Sequence, residues 1–221
     1  MGWTVLIPVR GAGEAKTRLV AATDDPWEHL RLVTALRSDT ITAALDATTV
    51  TRVVQVLDKA GPAQRRDGTL AFVQTAPGLN AALSEAAMWA IRQWPSDGIA
   101  ALLGDLPALR PEDLDEALIE AARHATTFVP DASGTGTTLL TAMPGVALDP
   151  RFGPGSAVRH SGFATPLHAA ASLRQDVDTA ADLARAAEIG LGPATTAVLQ
   201  NPAERPRRAQ SRTRRIHRNP A

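Results

Sequence analysis

Short apolar runs of β-forming residues alternate along this chain with longer stretches of helical periodicity, and that alternation commits it to a sheet covered by helices. Trp3 to Val9 is the first run, rich in branched side chains and suited to a central strand. A polar, glycine-containing stretch from Arg10 to Arg18 follows it. Asp24 or Asp25 can then cap a helix with Pro26 at its first position, along which Leu30, Val33, Leu36, Ile41 and Leu45 approximate an apolar stripe. Arg52 to Leu57 and Leu70 to Val73 read as the second and third strands. Pro77-Gly78 opens a helix whose Leu79, Leu83, Ala87 and Ile91 share one face. Ile99 to Asp105 is a fourth, buried strand, and Pro111 starts a helix with Leu114, Leu118 and Ala121 spaced for burial.

Late in the alternation comes a hairpin, Thr126 to Pro130 and Thr137 to Thr141, joined by the turn Ala132-Ser133-Gly134-Thr135-Gly136. Ser156 to Gly162 is a short helix behind a Gly153-Pro154-Gly155 loop, and Thr179 to Gly190 is the last clear helix. The expected fold is α/β, a three-layer sandwich around a mostly parallel mixed sheet. With 221 residues the chain has room for one domain with a substantial core, expected over 1–200. Residues 201–221 hold seven of the 23 basic residues and one of the 23 acidic ones, so the zero formal charge hides a negative body and an arginine-rich tail. That tail has no apolar repeat with which to offset its ordering entropy and reads as a disordered, solvated extension. No apolar stretch reaches membrane-span length, so the protein is expected to be soluble and cytoplasmic. The absence of cysteine excludes disulfides, thiolate nucleophiles and Cys-ligated zinc.

Two acidic motifs stand where strands should end: Gly104-Asp105-Leu106-Pro107 and Asp176-Val177-Asp178-Thr179. Ligands in open α/β sheets collect at such carboxyl ends, and magnesium takes one or two protein carboxylates together with substrate phosphates and waters. Asp105 and Asp178 are the expected Mg2+ ligands, with Asp176 in reserve because alternation puts it on the same side as Asp178. The competing structural role is capping: Asp105 at the turn before Pro107, and Asp178 or Thr179 at the helix from Ala180. Arg10, Lys16, Thr17 and Arg18 beside Gly11 and Gly13 suit a triphosphate, although the spacing is neither a Walker A loop nor GxGxxG. The Gly134–Thr138 and Arg151–Ser156 loops can offer amides and hydroxyls to a small anion. His124, His160 and His168 lack ligand spacing and His29 and His217 are remote, so the histidines read as structural, with His160 nearest a candidate site.

Taken in order, Leu6-Ile-Pro-Val-Arg10, Ala15-Lys-Thr-Arg-Leu19, Pro77-Gly-Leu-Asn-Ala-Ala-Leu83, Gly104-Asp-Leu-Pro-Ala-Leu109, Gly134-Thr-Gly-Thr137, Leu148-Asp-Pro-Arg-Phe-Gly-Pro-Gly-Ser156 and Asp176-Val-Asp-Thr179 resemble the phosphoenolpyruvate or 2-phospho-L-lactate guanylyltransferases of coenzyme F-420 biosynthesis. The resemblance runs over residues 3–193 and implies a GT-A-like nucleotidyltransferase that moves GMP from GTP to a phosphorylated three-carbon acid. It also implies that Thr137, Gly153 and Ser156 hold phosphoenolpyruvate, that Asp105 and Asp178 bind the metal, that Arg10, Lys16 and Arg18 meet the GTP phosphates, and that Asn80 lies near the base or ribose. The family often has lysine at position 10, where this chain has arginine, a planar fork in place of a point charge. Two other readings compete: a guanylyl- or cytidylyltransferase of another pathway, such as the molybdenum-cofactor type, and a non-catalytic nucleotide- or nucleic-acid-binding module using the arginine tail.

Overall fold

The structure, a computed structural model, describes residues 2–9, 26–58 and 67–201. Its strands are β1 (Trp3–Val9), β2 (Val50–Leu57), β3 (Leu70–Val73), β4 (Gly98–Leu102), β5 (Thr126–Pro130), β6 (Thr137–Ala142) and β7 (Thr165–Pro166). Among the described residues they form one sheet in the order β3-β2-β1-β4-β6-β5-β7. β6 runs antiparallel to its neighbours β4 and β5, and every other pairing is parallel. The mostly parallel sheet expected from the alternation is therefore present, with the late hairpin supplying the one reversed strand.

The helices are α1 (Pro26–Asp46), α2 (Leu79–Gln93), α3 (Pro111–Ala121), α4 (Ser156–Ser161), α5 (Ala171–Arg174), α6 (Ala180–Ile189) and α7 (Pro193–Gln200). Side chains alternate across β1, so Trp3, Val5 and Ile7 enter one core with Ile41 and Ala44 of α1 and Leu114 and Leu118 of α3. Leu6 enters a second core with Leu83 and Ala86 of α2 and Ala157 of α4. Two cores on the two faces of one sheet make the three layers. A third cluster, Leu32 and Leu36 with Val177, Leu183 and Ala186, packs α6 on the front half of α1. Among the described residues no helix is long and apolar enough to cross a membrane.

Several sequence expectations shift. In α1, Leu30 and Leu45 are half-buried, while Leu32 and Ala44 are buried, because α1 serves two clusters and its apolar surface is broader than one stripe. β2 starts earlier, at Val50, and β6 extends to Ala142. β4 stops at Leu102 rather than at Asp105. Past Leu103 the backbone leaves the sheet for other partners: Thr40 Oγ1 of α1 accepts from Leu106 N–H at 3.0 Å. β7, α5 and α7 were not expected. The first amides of α7 are capped from α1, where the Asp39 carboxylate accepts from Ala194 N–H at 2.9 Å and Thr195 N–H at 2.7 Å. Gly192 permits the approach, since a Cβ there would stand 2.4 Å from the Asp39 carboxyl carbon. Such charge-assisted bonds contribute about 1.5–3 kcal/mol each, enough to fix a helix whose own sequence lacks a capping side chain.

Candidate functional site

A cavity of about 650 Å3 lies at the carboxyl ends of β1 and β4, lined there by Pro8 and by Leu103, Gly104 and Asp105. One wall is acidic, formed by Asp105, Asp176 and Asp178, with Arg37 of α1 beside them. A second wall is made of glycines and hydroxyls, from Thr135 to Thr137 and from Phe152 to Ser156.

The acidic wall is assembled by backbone ties. Val177 N–H donates to the Asp105 carbonyl at 3.1 Å, which joins the two acidic motifs directly, and Val177 itself is fully buried beneath them. Leu103 N–H donates to the Thr138 carbonyl at 2.9 Å, and Gly192 N–H to the Pro107 carbonyl at 2.8 Å. The loop carrying Asp105 is thus held from β6, α1, the Val177 segment and the start of α7. Gly104 suits this close packing, because a Cβ would lie 3.2 Å from Ile7 Cγ2 and the neighbouring side chain would have to give by a few tenths of an ångström. Asp176 and Asp178 flank inward-pointing Val177, so the alternation expected for them holds without a strand.

The capping question at α6 is settled by Thr179. Its hydroxyl accepts from Asp182 N–H at 3.2 Å while the Asp182 carboxylate accepts from Thr179 N–H at 2.8 Å, a reciprocal capping box. Asp178 lines the cavity and Thr179 does the capping.

Arg37 was not singled out from the sequence. Burial lowers its pKa from the ordinary guanidinium value, and the charges of Asp105 and Asp58 oppose that shift. A cation held among carboxylates keeps part of the wall's negative charge compensated. The signal in the sequence was its place on α1, one turn before Thr40, the residue that grips the Asp105 loop.

The second wall is a closed hydrogen-bond network. Thr137, 3% exposed, and Ser156, 1% exposed, meet where Ser156 Oγ donates to Thr137 Oγ1 at 3.1 Å. His160 of α4, fully buried, places Nδ1 2.8 Å from Thr137 Oγ1, and its Nε2 accepts from Arg151 N–H at 3.0 Å. Phe152 and Phe163 stand edge-on to the imidazole, with ring centroids 5.3 and 5.8 Å away. Burial is the largest of the influences that lower the His160 pKa to about 4; Arg159 and Arg151 add to it, and Asp149 opposes them. The ring is therefore neutral at pH 7.

The loop between these residues is shaped from outside the cavity. The Arg159 guanidinium donates to the carbonyls of Arg151 at 2.9 Å, Gly153 at 3.2 Å and Pro154 at 2.7 Å. Three carbonyl dipoles are thereby neutralised by one cation, which makes the loop a better host for an anion. Gly153 with φ 118 and Gly155 with φ 71 adopt conformations that side chains rarely allow. Asn80 of α2 clamps the same loop, its Oδ1 accepting from Phe152 N–H at 2.8 Å and its Nδ2 donating to the Phe152 carbonyl at 3.1 Å. Both ends of its carboxamide thus engage the Phe152 backbone.

Of the residues expected at the site, Asp105, Asp178, Asp176, Thr137, Gly153 and Ser156 line one cavity. Arg10, Lys16, Thr17 and Arg18 lie outside the described residues, as does the tail from 202 onward. Arg37, Asn80 as a loop clamp, Arg159 and the role of His160 were missed; each acts through contacts that no local motif encodes.

The family model described as "Guanylyl transferase CofC like" matches residues 3–196. A phosphoenolpyruvate guanylyltransferase of Salinispora arenicola is 46% identical over 203 residues, covering 87% of this chain and 91% of that protein. Among solved structures, a putative nucleotide-diphospho-sugar transferase from Desulfovibrio desulfuricans G20 superposes with a TM-score of 0.67 at 16% identity, over 90% of this chain and 95% of the other. Rv0371c from Mycobacterium tuberculosis H37Rv, in complex with manganese, gives a TM-score of 0.52 at 22% identity over 85% of this chain and 98% of that one. The two structures share the fold. With the match running through nearly every element of the sheet and both cavity walls, the chain belongs to the CofC-like guanylyl transferase family.

Proposed function

We propose that this protein transfers GMP from GTP to phosphoenolpyruvate, releasing pyrophosphate and forming enolpyruvoyl-2-diphospho-5′-guanosine, a step of coenzyme F-420 biosynthesis. The observation that carries the reading is the bond from Val177 N–H to the Asp105 carbonyl, which sets two acidic motifs distant in sequence on one cavity wall, next to a wall suited to a small anion. The relatives' activity supports the choice of nucleotide and acceptor. The reaction is assigned to residues 1–200, with the arginine-rich 201–221 outside it. Both substrates are polyanions of the cell interior, and the cytoplasm is the proposed setting.

The acceptor's phosphate oxygen is anionic near neutral pH, so it attacks the α-phosphorus of GTP without a general base. The bond from that phosphorus to the β-bridging oxygen breaks, and pyrophosphate leaves with the electron pair. Thr137, Gly153 and Ser156 hold the acid, while Arg10, Lys16 and Arg18 receive the triphosphate and neutralise the departing pyrophosphate. Among the described residues no group of three or more acidic or histidine side chains could enclose an ion by itself. A carboxylate pair is instead the donor set that suits magnesium shared with substrate phosphates, and Asp105 and Asp178 are the residues that would hold it; the fold neighbour was solved with manganese, also a divalent ion. When bound, the ion supplies charge neutralisation between two phosphates that otherwise repel each other.

The test incubates the purified chain with Mg2+ and GTP, adding phosphoenolpyruvate or 2-phospho-L-lactate in separate arms, and follows pyrophosphate. Release that depends on phosphoenolpyruvate is expected. Release with 2-phospho-L-lactate alone would reassign the acceptor, and no release with either would remove the reading.

A further inference from the structure

Thr137 Oγ1 is surrounded by donors. Arg151 N–H can only donate, so His160 Nε2 must be the bare nitrogen of the ring. In a neutral imidazole the proton then sits on Nδ1 and points at Thr137 Oγ1, 2.8 Å away. Ser156 Oγ donates to the same oxygen. An sp3 hydroxyl oxygen has two lone pairs, and both are taken. The hydrogen that Thr137 itself carries is left with the one remaining direction, and Thr137 borders the cavity.

We propose that His160 is a positioning residue for the acceptor: by donating from Nδ1 it fixes the Thr137 hydroxyl as a hydrogen donor toward the anion of the phosphorylated acid. This deepens the proposed function and rests on its reading of Thr137 and Ser156 as the acceptor's site. Three features make the arrangement durable. The backbone of Arg151 sets the tautomer, and α4 sets the ring's position. The rings of Phe152 and Phe163, with the burial of His160, exclude water from the imidazole, which keeps it neutral and its single N–H directed. A hydroxyl in water spends its time as donor and acceptor alike, whereas an anion needs only a donor. Filling both lone pairs in advance removes the wrong orientations before the substrate arrives. Ser156 donates its hydrogen to the Thr137 oxygen in the same sense as His160, so its part in holding the acid passes through Thr137.

The test separates the two ring nitrogens. His160→Asn keeps an N–H where Nδ1 stands, His160→Gln keeps an acceptor where Nε2 stands, and His160→Phe keeps neither. At pH 7.5, with each substrate varied in turn at saturating levels of the other, His160→Gln and His160→Phe should raise KM for phosphoenolpyruvate about tenfold, with KM for GTP within about twofold of the parent. His160→Asn should recover most of the loss. In a Thr137→Val background, adding His160→Phe should change the KM for the acid no further, because the hydroxyl it orients is gone. Equal effects of Asn and Gln, parallel changes in both KM values, or a full additional loss in the Thr137→Val background would each overturn the proposal. Should His160→Phe fail to fold, the Asn and Gln pair still decides. A parent chain inactive with every phosphorylated acid would sink the functional reading and this inference together; an active parent with indifferent His160 variants sinks the inference alone.

Discussion

The two walls of the cavity are built by opposite means. Asp105, Asp176 and Asp178 present negative charge, and the fold supplies their scaffolding through backbone ties such as Val177 to Asp105. Thr137, Ser156 and His160 are buried and satisfy one another through side-chain bonds before anything binds. The acidic wall has Arg37 beside it to compensate part of its charge, and the proposed function would add a cation there. The hydroxyl wall is complete in itself and has only a hydrogen to give. A transferase that must bring two phosphates together benefits from this division, because charge neutralisation and shape recognition are carried by different groups and can be disturbed separately.

The comparison breaks most sharply at Asp105. Asp105→Asn keeps the size of the side chain and its place in the loop but removes the charge, and turnover should fall by at least ~100-fold. Asp58 still faces Arg37, so the buried guanidinium retains a counter-charge and the melting temperature should move by only a few degrees. A collapsed fold with ordinary residual activity would place Asp105 in the scaffold rather than in the chemistry.

A smaller effect on the other wall is read by pH. His160 protonates in the unfolded chain near its ordinary pKa of 6.5 but in the folded chain only near about 4. The fold thus prefers the neutral ring, and the stability this confers is whole above 6.5, declines as the pH falls through that window and is spent below 4. The full loss is about 3 kcal/mol. Carboxylates held low by hydrogen bonds, Asp115 and Asp182 among them, weaken the fold as well once acid reaches their own range, and they do so in any variant. Denaturant midpoints of the parent and of His160→Gln should therefore converge between pH 6.5 and 4; curves that stay parallel would show that the ring is not held neutral.

Much of the sheet was legible because its signals are local. Trp3 to Val9 and Leu70 to Val73 coincide with β1 and β3, and the glycine-rich turn before Thr137 correctly announced a hairpin. α7 was illegible because its cap is Asp39, far away on α1. The same distinction divides the site. That Asp105, Asp178, Thr137, Gly153 and Ser156 border one cavity was legible from two acidic motifs and from loops rich in glycine and hydroxyls. His160 was visible as a histidine near a candidate site, yet what it does depends on the Arg151 amide and the Thr137 hydroxyl, and no spacing rule joins those three. Arg37 carries no motif at all; its meaning comes from burial beside Asp105 and Asp58.

Asn80 sharpens the comparison at the smallest scale, because it belongs to α2 and yet serves the hydroxyl wall. The resemblance set it at the base or ribose of the nucleotide, whereas its carboxamide pairs with both backbone groups of Phe152. Asn80→Ala leaves that amide and carbonyl to find new partners, at about 1–2 kcal/mol for a half-buried pair. The loop from Phe152 to Ser156 should loosen, and Gly153 and Ser156 with it. KM for phosphoenolpyruvate is then expected to rise several-fold while KM for GTP stays near that of the parent. A residue that touched the guanine or ribose would give the reverse, a rise confined to GTP, and steady-state kinetics with each substrate varied in turn tell the two apart. If the GTP term alone moves, Asn80 must exchange Phe152 for the nucleotide on binding, and the two walls are coupled through this one side chain rather than independent.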